Sequence, residues 1–538
     1  MDKFVTVAEM RAIEKAADAS GHTYDDMMAN AGVALAYEVT SAYSQLPDKC
    51  VLGLIGVGNN GGDTLVALSH MMEEGWKASA YLIGDRLDDH LVARFLDLGG
   101  NIVFFSKDKT LKKLRSLVKK NAVILDGLLG TGIRLPLREP VLGVLKAVTK
   151  ALDDLETVPQ IVAVDCPSGV DCDSGDAVSE CMPADITVCM AAVKQGLLAF
   201  PAYQFLGDLK VVGIGLPDDL APWKSVSRFV IDREFVNQVL PQRPSDAHKG
   251  TFGRVMIVAG SLNFSGAALL AGKAAFRCGA GWVTLAVSSP LHAAIAGSFP
   301  EATWLLLPHE IGVICIDAAD LVLQNLSRAT TLLLGPGFGL EETTKDFLRC
   351  VLSGGRLGAT KKVGLLKSET MEETPDSTPL PHLVIDADGL KLLAQIDDWA
   401  KKLPTNSILT PHPGEMSVMT GMGKDEIQAN RVEVTESFAN EWGHVVVLKG
   451  AFTVIAEPGG NTGIIPIASP ALARAGTGDI LAGLIAGLRA QGVDSYEAAV
   501  AGAWIHARAG LLAAKRLGST AGVLAGDLIG EIPELMPR

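Results

Sequence analysis

Asp479 stands in "ARAGTGDILAGLIAGL", residues 473–488, directly after Gly476, Thr477 and Gly478 and ahead of an apolar helical pattern. The first turn of a helix carries unpaired N–H groups and the positive end of the dipole, so a Gly-Thr-Gly turn entering a helix can cradle a phosphate. A carboxylate beside that cradle is placed to take the proton of a hydroxyl attacking phosphorus. An aspartate in a first turn also stabilises a helix without any chemistry, and this stretch alone leaves both roles open.

Three more acids follow apolar runs in the first half: Asp63 in "GNNGGD", Asp126 in "LDGLLGTGIRLP" and Asp165 in "VDCPSGVD". If those runs are strands of one parallel sheet, their carboxyl ends share a crevice and the acids become neighbours. The Asn60 amide, the Asp126 carboxylate and Ser168 would then form a set of oxygens suited to a hard cation. Any one of these aspartates could equally cap a turn; three at strand ends with two glycine loops favour a site. "GNNGGD" is neither the dinucleotide fingerprint nor a Walker loop, since no lysine and hydroxyl close it.

The elements that must position these residues alternate along the chain. Thr6 and Glu9 form a capping box ahead of Met10, Ile13 and Ala17 at helical spacing, and "DDMMANAGVALAYEVTSAY" reads as a second helix. "CVLGLIG" reads as a strand, "VGNNGGD" as a loop and "TLVALSHMMEEG" as a helix, and "ASAYLIG", "NAVILDGLLGTG", "QIVAVDCPSG" and "DITVCMAAV" continue the strands. The pattern predicts a doubly wound parallel sheet. It breaks near residue 220 in a segment rich in proline and charge, then resumes with "GRVMIVAGSLNFSGAALLAGKAAFRCGAGWVTLAV", "TLLLGPG", "HLVIDADG", "SILTPHPGE" and "VVVLKG". The expected fold class is therefore α/β in two domains, without a sequence repeat between them. The stretch 353–382 lacks periodicity and reads as a surface insertion.

Composition narrows the class further. A chain of 538 residues favours more than one domain. Its 57 glycines, few aromatics and nearly half apolar content are those of a glycine-looped enzyme. A formal charge of −14 from dispersed acids gives no nucleic-acid surface. No apolar run reaches membrane-span length, and the start carries acids where an export signal would be apolar, so a cytoplasmic protein without a membrane partner is expected. The eight cysteines include no C-x-x-C pair, and their spacing suits no zinc site.

"GVGNNGGDTLVA", "DGLLGTGIRLP", "VAVDCPSGVDCDSG" and "AAVKQGL" resemble, in order and spacing, the NAD(P)H-hydrate epimerase domain, over residues 1–218. The resemblance implies a Rossmann-like fold. It implies that Asn59, Asn60, Gly61, Gly62, Asp63, the segment Gly130, Thr131, Gly132, Ile133, Arg134, Leu135 and Pro136, and Asp165 bind the hydrated nicotinamide nucleotide. It further implies that Asn60, Asp126 and Ser168 hold a potassium ion. Lys194 matches a lysine of the family pattern and joins Asp165 as a candidate catalytic residue.

After a linker over 219–243, residues 244–538 resemble the ADP- or ATP-dependent NAD(P)H-hydrate dehydratase of the ribokinase-like fold. The resemblance rests on "HKGTFGRVMIVAGSLNFSGAALLAG", "LLLGPGFG", "TPHPGEM", "VVVLKGAFTVI" and "AGTGD". It implies that Ala267, Gly337 and His412 contact the hydrate. Lys449, Gly450, Ala451, Phe452 and Thr453 would contact the adenine nucleotide, with Gly476, Thr477 and Gly478 as the anion hole and Asp479 as the base on the substrate hydroxyl. On its own, His412 between prolines reads as a turn residue. Asp386 and Asp388 in "DADGL" could orient magnesium through water, and Gly389 stands where the family usually has alanine.

The expected function is repair of hydrated NADH and NADPH by epimerisation in the first half and ADP-dependent dehydration in the second. Potassium and magnesium are the expected ions, and a homo-oligomer is expected. A ribokinase-like small-molecule kinase carrying a non-catalytic N-terminal binding domain is the alternative.

Overall fold

A computed structural model describes residues 1–84, 86, 89–355 and 379–537. The central part of the 353–382 insertion falls outside them. Two compact units emerge, Asp2–Arg228 and Phe229–Arg538, the second joined by Met1.

In the first unit seven strands lie in the order Asn101–Phe104, Lys77–Leu82, Cys50–Ile55, Val123–Gly127, Gln160–Val164, Ile186–Met190 and Asp208–Val212. Every pairing is parallel. Strand succession reverses between Cys50–Ile55 and Val123–Gly127, so the crevice of this Rossmann-like sheet opens beyond the carboxyl ends of those two strands. Alternate residues serve opposite faces: Val51 and Ile55 pack with Leu35, Leu65 and Leu68, while Leu52 and Leu54 pack with Leu114, Val144 and Val148. Burial on both faces explains why these strands read as continuous apolar runs. Thr6 and Thr23 cap the helices Val7–Ala19 and Tyr24–Ala42 through capping boxes with Glu9 and Asp26. A short parallel pair, Asp2–Val5 with Val193–Lys194, fixes the backbone at Lys194.

One segment read as a loop is helical. The segment "NNGGD" is not a loop but the first turn of the helix Asn59–Glu73, capped by an extended Gly58. Its glycines serve close approach instead of turning: a Cβ on Gly61 would stand 2.2 Å from the Gly56 carbonyl oxygen, and one on Gly62 would stand 2.4 Å from the Met28 sulfur. Glycine is an adequate helix residue where contact of that kind offsets its entropic cost.

The second unit repeats the logic with a longer sheet. Parallel strands run Thr303–Leu307, Trp282–Ser288, Arg254–Val258, Thr331–Leu334, His382–Ile385, Ile408–Leu409 and Val445–Leu448. The antiparallel strands Val454–Ala456 and Thr462–Ile464 follow. One face, with Val255, Ile257, Leu333 and Val447, is covered by the helices Gly266–Arg277, Thr477–Ala490 and Ser495–Leu517. The other, with Met256, Val258, Leu334 and Ile385, is covered by Ala318–Asn325, Glu342–Leu352 and Asp388–Leu393. Among the described residues no helix is long and apolar enough to cross a membrane.

Candidate active sites

In the first unit the loop after Gln160–Val164 starts with Asp165 in the left-handed region, at φ 64°. Positive φ at a non-glycine residue costs energy and is common where a side chain must be aimed. The Asp165 amide donates to the Val188 carbonyl at 2.8 Å, and the Asp165 carboxylate accepts from the Met190 amide at 2.9 Å. The same carboxylate is ion-paired with the buried Lys194 ammonium, which also donates to the Met190 carbonyl at 2.9 Å. Burial works against the charge on Lys194, but the Asp165 carboxylate together with the neighbouring Cys189 and Cys172 holds the amine above the usual lysine range.

Asp63 projects from the first turn of its helix and is 7% exposed. Burial first, and then the charges of Asp165 and Glu14, hold its carboxyl well above the usual range against the pull of Lys194 and Arg86. Burial likewise raises the Glu14 carboxyl, against the nearby Lys194 charge. The set therefore contains an ion-paired carboxylate, a carboxyl held up by burial and neighbouring acids, and a buried ammonium. A buried, raised carboxyl in a crevice beside a buried ion pair is a candidate for acid–base chemistry.

Asn60, Asp126 and Ser168 meet around Leu129. The Asn60 amide donates to the Leu129 carbonyl at 2.9 Å and the Val164 carbonyl at 2.6 Å, which commits its nitrogen and leaves its oxygen as the acceptor. The Ser168 hydroxyl accepts from the Leu129 amide at 2.9 Å and donates to Asp126 at 2.6 Å, and the Ser168 amide donates to Asp126 at 2.8 Å. Burial raises the Asp126 carboxyl, while these hydrogen bonds oppose it. An amide oxygen, a hydroxyl, a single carboxylate and nearby carbonyls form a hard, weakly charged set that fits an alkali cation better than a divalent one. Gly130 lies against Asn60, since a Cβ there would stand 2.5 Å from its Oδ1; Thr131 to Pro136 continue as a half-buried to exposed loop.

Glu14 and Arg86 escaped the sequence reading. Arg86 donates to the carbonyls of Gly56 and Gly58 at 3.0 Å each and pairs with Asp89 at 2.7 Å, which braces the turn ahead of Asn59. Neither lies in a glycine motif or at a strand end, so only the fold reveals them.

In the second unit Gly476 takes φ 90° as the cap of the helix Thr477–Ala490, and Asp479 falls in its first turn. Burial, with added repulsion from Asp386 and Asp388, pushes the Asp479 carboxyl up to about 7, against the attraction of Lys449. These surroundings make it a stronger base than an ordinary aspartate. Lys449 donates to Asp386 at 2.6 Å and lies 3.5 Å from Glu415. Its Nζ also lies 3.7 Å from where a Cβ on Gly478 would stand, which sets the ammonium beside the Gly-Thr-Gly turn. Thr410 donates a second 2.6 Å bond to Asp386, whose Oδ2 is buried without a partner. Asp388 accepts from the Gly339 amide at 3.1 Å and pairs with Lys391 at 2.9 Å.

His412 caps the helix Pro413–Thr420: its Nδ1 accepts from the amides of Gly414 and Glu415 at 2.9 and 3.2 Å. That leaves Nε2, half-exposed and 3.3 Å from Glu415, as the nitrogen available to a ligand. Ala267 and Gly337 adjoin, a Cβ on Gly337 standing 2.9 Å from that of Ala267, and Leu270 of the same helix packs against Gly476. A Cβ at position 389 would stand 2.8 Å from the Gly335 Cα, so the glycine here allows a close crossing. In the loop after Val445–Leu448, Gly450 and Phe452 take positive φ, and Arg431 donates to the Leu448 carbonyl at 2.7 Å beneath it. Among the described residues no three acidic, histidine or cysteine side chains converge as a direct metal-ligand set. Asp386 and Asp388, close enough to Asp479 to repel its charge, are the carboxylates that could orient a magnesium ion through water.

Residues 255–534 match the family described as NAD(P)H-hydrate dehydratase, and residues 24–196 match the family described as YjeF-related protein N-terminus. The bifunctional NAD(P)H-hydrate repair enzyme Nnr of Moorella thermoacetica is 32% identical, with 99% of this chain and 96% of that one covered. Its namesake in Escherichia coli K12 is also 32% identical, with 98% and 92% covered. Among solved structures, an ADP/ATP-dependent NAD(P)H-hydrate dehydratase from Bacillus subtilis, co-crystallised with ATP and Mg2+, is similar at 29% identity and TM-score 0.46, covering 57% of this chain and 96% of that one. The full-length matches span both α/β units: the chain belongs to the bifunctional NAD(P)H-hydrate repair enzymes.

Proposed function

We propose that the first unit interconverts the R and S hydrates of NADH and NADPH and that the second dehydrates the S form at the expense of ADP, releasing AMP and phosphate. The observation that carries this reading is Asp479: a carboxyl raised to about 7, in the first turn of a helix behind a left-handed glycine, with Lys449 beside the same turn.

In the second unit Asp479 accepts the proton of the ring hydroxyl as its oxygen bonds to the terminal phosphorus of ADP and the bond to AMP breaks. The amides of Gly476, Thr477 and Gly478, with Lys449, face the charge on the transferred group. The phosphate ester is a good leaving group: the ring nitrogen lone pair expels phosphate, a proton leaves the adjacent ring carbon, and the dihydropyridine is restored. Magnesium, when bound, supplies charge neutralisation on the phosphates. Ala267, Gly337 and His412 are proposed to hold the hydrate, and Lys449 to Thr453 the adenine nucleotide.

In the first unit the substrate carbon bears both a hydroxyl and the ring nitrogen, so breaking and re-forming one of those bonds inverts it. This needs a proton donor and an acceptor. Asp63, with its raised carboxyl, is proposed as the donor and Asp165, oriented by Lys194, as the acceptor. Asn60, Asp126 and Ser168 would hold potassium, which supplies positive charge beside the bound nucleotide. A base fixed in space accepts one configuration, so the two activities complement each other.

The test is phosphorus NMR of the protein with S hydrate, magnesium and ADP. One AMP and one phosphate per NADH restored supports the reading; a phosphate ester that accumulates without NADH would favour a small-molecule kinase.

A further inference from the structure

The loop that follows the strand Val445–Leu448 is held by a cation that neither activity has used. Arg431 opens the helix Arg431–Trp442. Its guanidinium donates to the Leu448 carbonyl at 2.7 Å, to the Lys449 carbonyl at 3.3 Å and to Gln428 Oε1 at 2.6 Å. The approach is close: a Cβ on Gly450 would stand 3.2 Å from both terminal nitrogens of Arg431, and Gly450 takes φ 146°, which a side chain rarely allows.

Little else in the fold favours a charge at this point. Among the described residues no carboxylate pairs with Arg431, its Nε is buried without a partner, and burial pulls the guanidinium down to about 10. The first turn of a helix is also the positive end of its dipole, where a cation is disfavoured. The contribution of Arg431 therefore lies in the carbonyls it holds. The Lys449–Gly450 peptide is trans, so its carbonyl and its N–H point in opposite directions. With the carbonyl drawn onto the guanidinium, the Gly450 N–H faces away from it, and among the described residues that N–H has no acceptor. Gly450 is exposed, and its own carbonyl accepts from the Thr453 hydroxyl at 3.0 Å, which closes the loop. The result is an outward amide donor, fixed from behind and unspent, of the kind that meets a phosphate or a sugar oxygen.

We propose that Arg431 is a positioning residue for nucleotide capture: by gripping the carbonyls of Leu448 and Lys449 it aims the Gly450 amide at the adenine nucleotide. This rests on the dehydratase reading of the second unit. Arg431 acts through the loop and touches no reacting atom. Lys449 keeps its place without this grip, because its own amide donates to the Pro411 carbonyl at 2.9 Å and its ammonium is tied to Asp386. Loss of Arg431 therefore weakens nucleotide binding and spares the chemical step.

Steady-state kinetics of the full-length protein separate this role from a structural one. Arg431→Met raises KM for ADP about tenfold or more, the loss of one well-made hydrogen bond, while kcat at saturating ADP and KM for the hydrate stay within about twofold. Arg431→Lys, which can reach one carbonyl but not both, falls between. Epimerisation by the first unit stays at the wild-type rate in both. A wild-type KM for ADP in Arg431→Met, or a fall in kcat with a rise in both KM values together, overturns the proposal. A second measurement needs no change at Arg431. Lys-Gly occurs in the chain only as Lys249–Gly250 and Lys449–Gly450. Protein isotope-labelled at the lysine carbonyl carbon and the glycine nitrogen therefore shows two amide signals in carbonyl-filtered NMR, and Lys249→Arg removes the first. The Gly450 signal should shift when ADP and magnesium are added without hydrate; a signal that stays in place at saturating ADP overturns the proposal. If that signal responds while the wild type restores no NADH with ADP or ATP, it is the dehydratase reading that fails, and the grip on the nucleotide loop stands.

Discussion

Replacing Asp479 by asparagine should destroy one activity and stabilise the fold that carries it. The Asp479 carboxyl lies at about 7 in the folded unit against an ordinary value of 3.8, a displacement of about 3 units. Between those two values the folded state binds more protons than the unfolded state, so stability falls as pH rises from about 4 to about 7 and the penalty is complete above that. At 1.36 kcal/mol per unit the upper limit is roughly 4 kcal/mol, and partial solvent access to the side chain reduces it to about 1–2 kcal/mol. Asparagine keeps the shape and avoids the charge. The expected outcome is a Tm above wild type at pH 8 that converges on wild type as the pH falls toward 4, measured by calorimetry on the ligand-free protein. The same change lowers kcat of dehydration by about 10²-fold to 10⁴-fold, the usual contribution of a general base. In the wild type, kcat/KM should rise about tenfold per pH unit below 7 and level off above it. An active Asp479→Asn protein, or a stability gain equal at pH 5 and pH 8, would refute the assignment of Asp479 as a strained base.

Four further outcomes follow from the same geometry. Asp165→Asn abolishes epimerisation, spares dehydration and costs about 3–5 kcal/mol by leaving the Lys194 charge buried and unpaired; adding Lys194→Met recovers part of that stability but no activity, as denaturant melts will show. Gly61→Ala forces a Cβ against the Gly56 carbonyl and should cost about 1–3 kcal/mol, with epimerase activity lost in steady-state assays before dehydratase activity. Ser168→Ala removes the 2.6 Å bond to Asp126, and a potassium titration of epimerase activity should shift to higher concentration by about tenfold or more. Lys449→Met leaves Asp386 and Glu415 without their shared cation, and the acidic limb of the dehydratase pH profile should move to higher pH as Asp479 loses the attraction that opposes its rise.

Much of this architecture is legible in the sequence because strands buried on both faces read as apolar runs, and acids placed where such runs end fall at the carboxyl edge of the sheet. Asp126 and Asp165 were found in that way. The start of the helix at Asn59 was not, since consecutive glycines read as a loop until the Gly56 carbonyl and Met28 are seen to need the space. Nor was the edge strand Thr303–Leu307. Only its last residue, Leu307, is fully buried; the others range from half-buried to exposed. Glu14, Arg86 and Arg431 act through partners distant in the chain and carry no local motif. The rise of Asp479 to about 7 is a property of burial and of Asp386 and Asp388, which lie some ninety residues earlier; no pattern around "GTGD" reports it.

The central claim, two complementary activities in one chain, is tested most directly by giving the purified protein an equal mixture of the R and S hydrates of NADH with potassium, magnesium and ADP. The near-ultraviolet absorbance of the reduced nicotinamide reports the repair. The account predicts recovery of the whole mixture, and recovery of only half on the fast phase when Asp165 is replaced by asparagine. Recovery of half by the wild type would leave the first unit without its activity, and no recovery with ADP or ATP would contradict the account altogether.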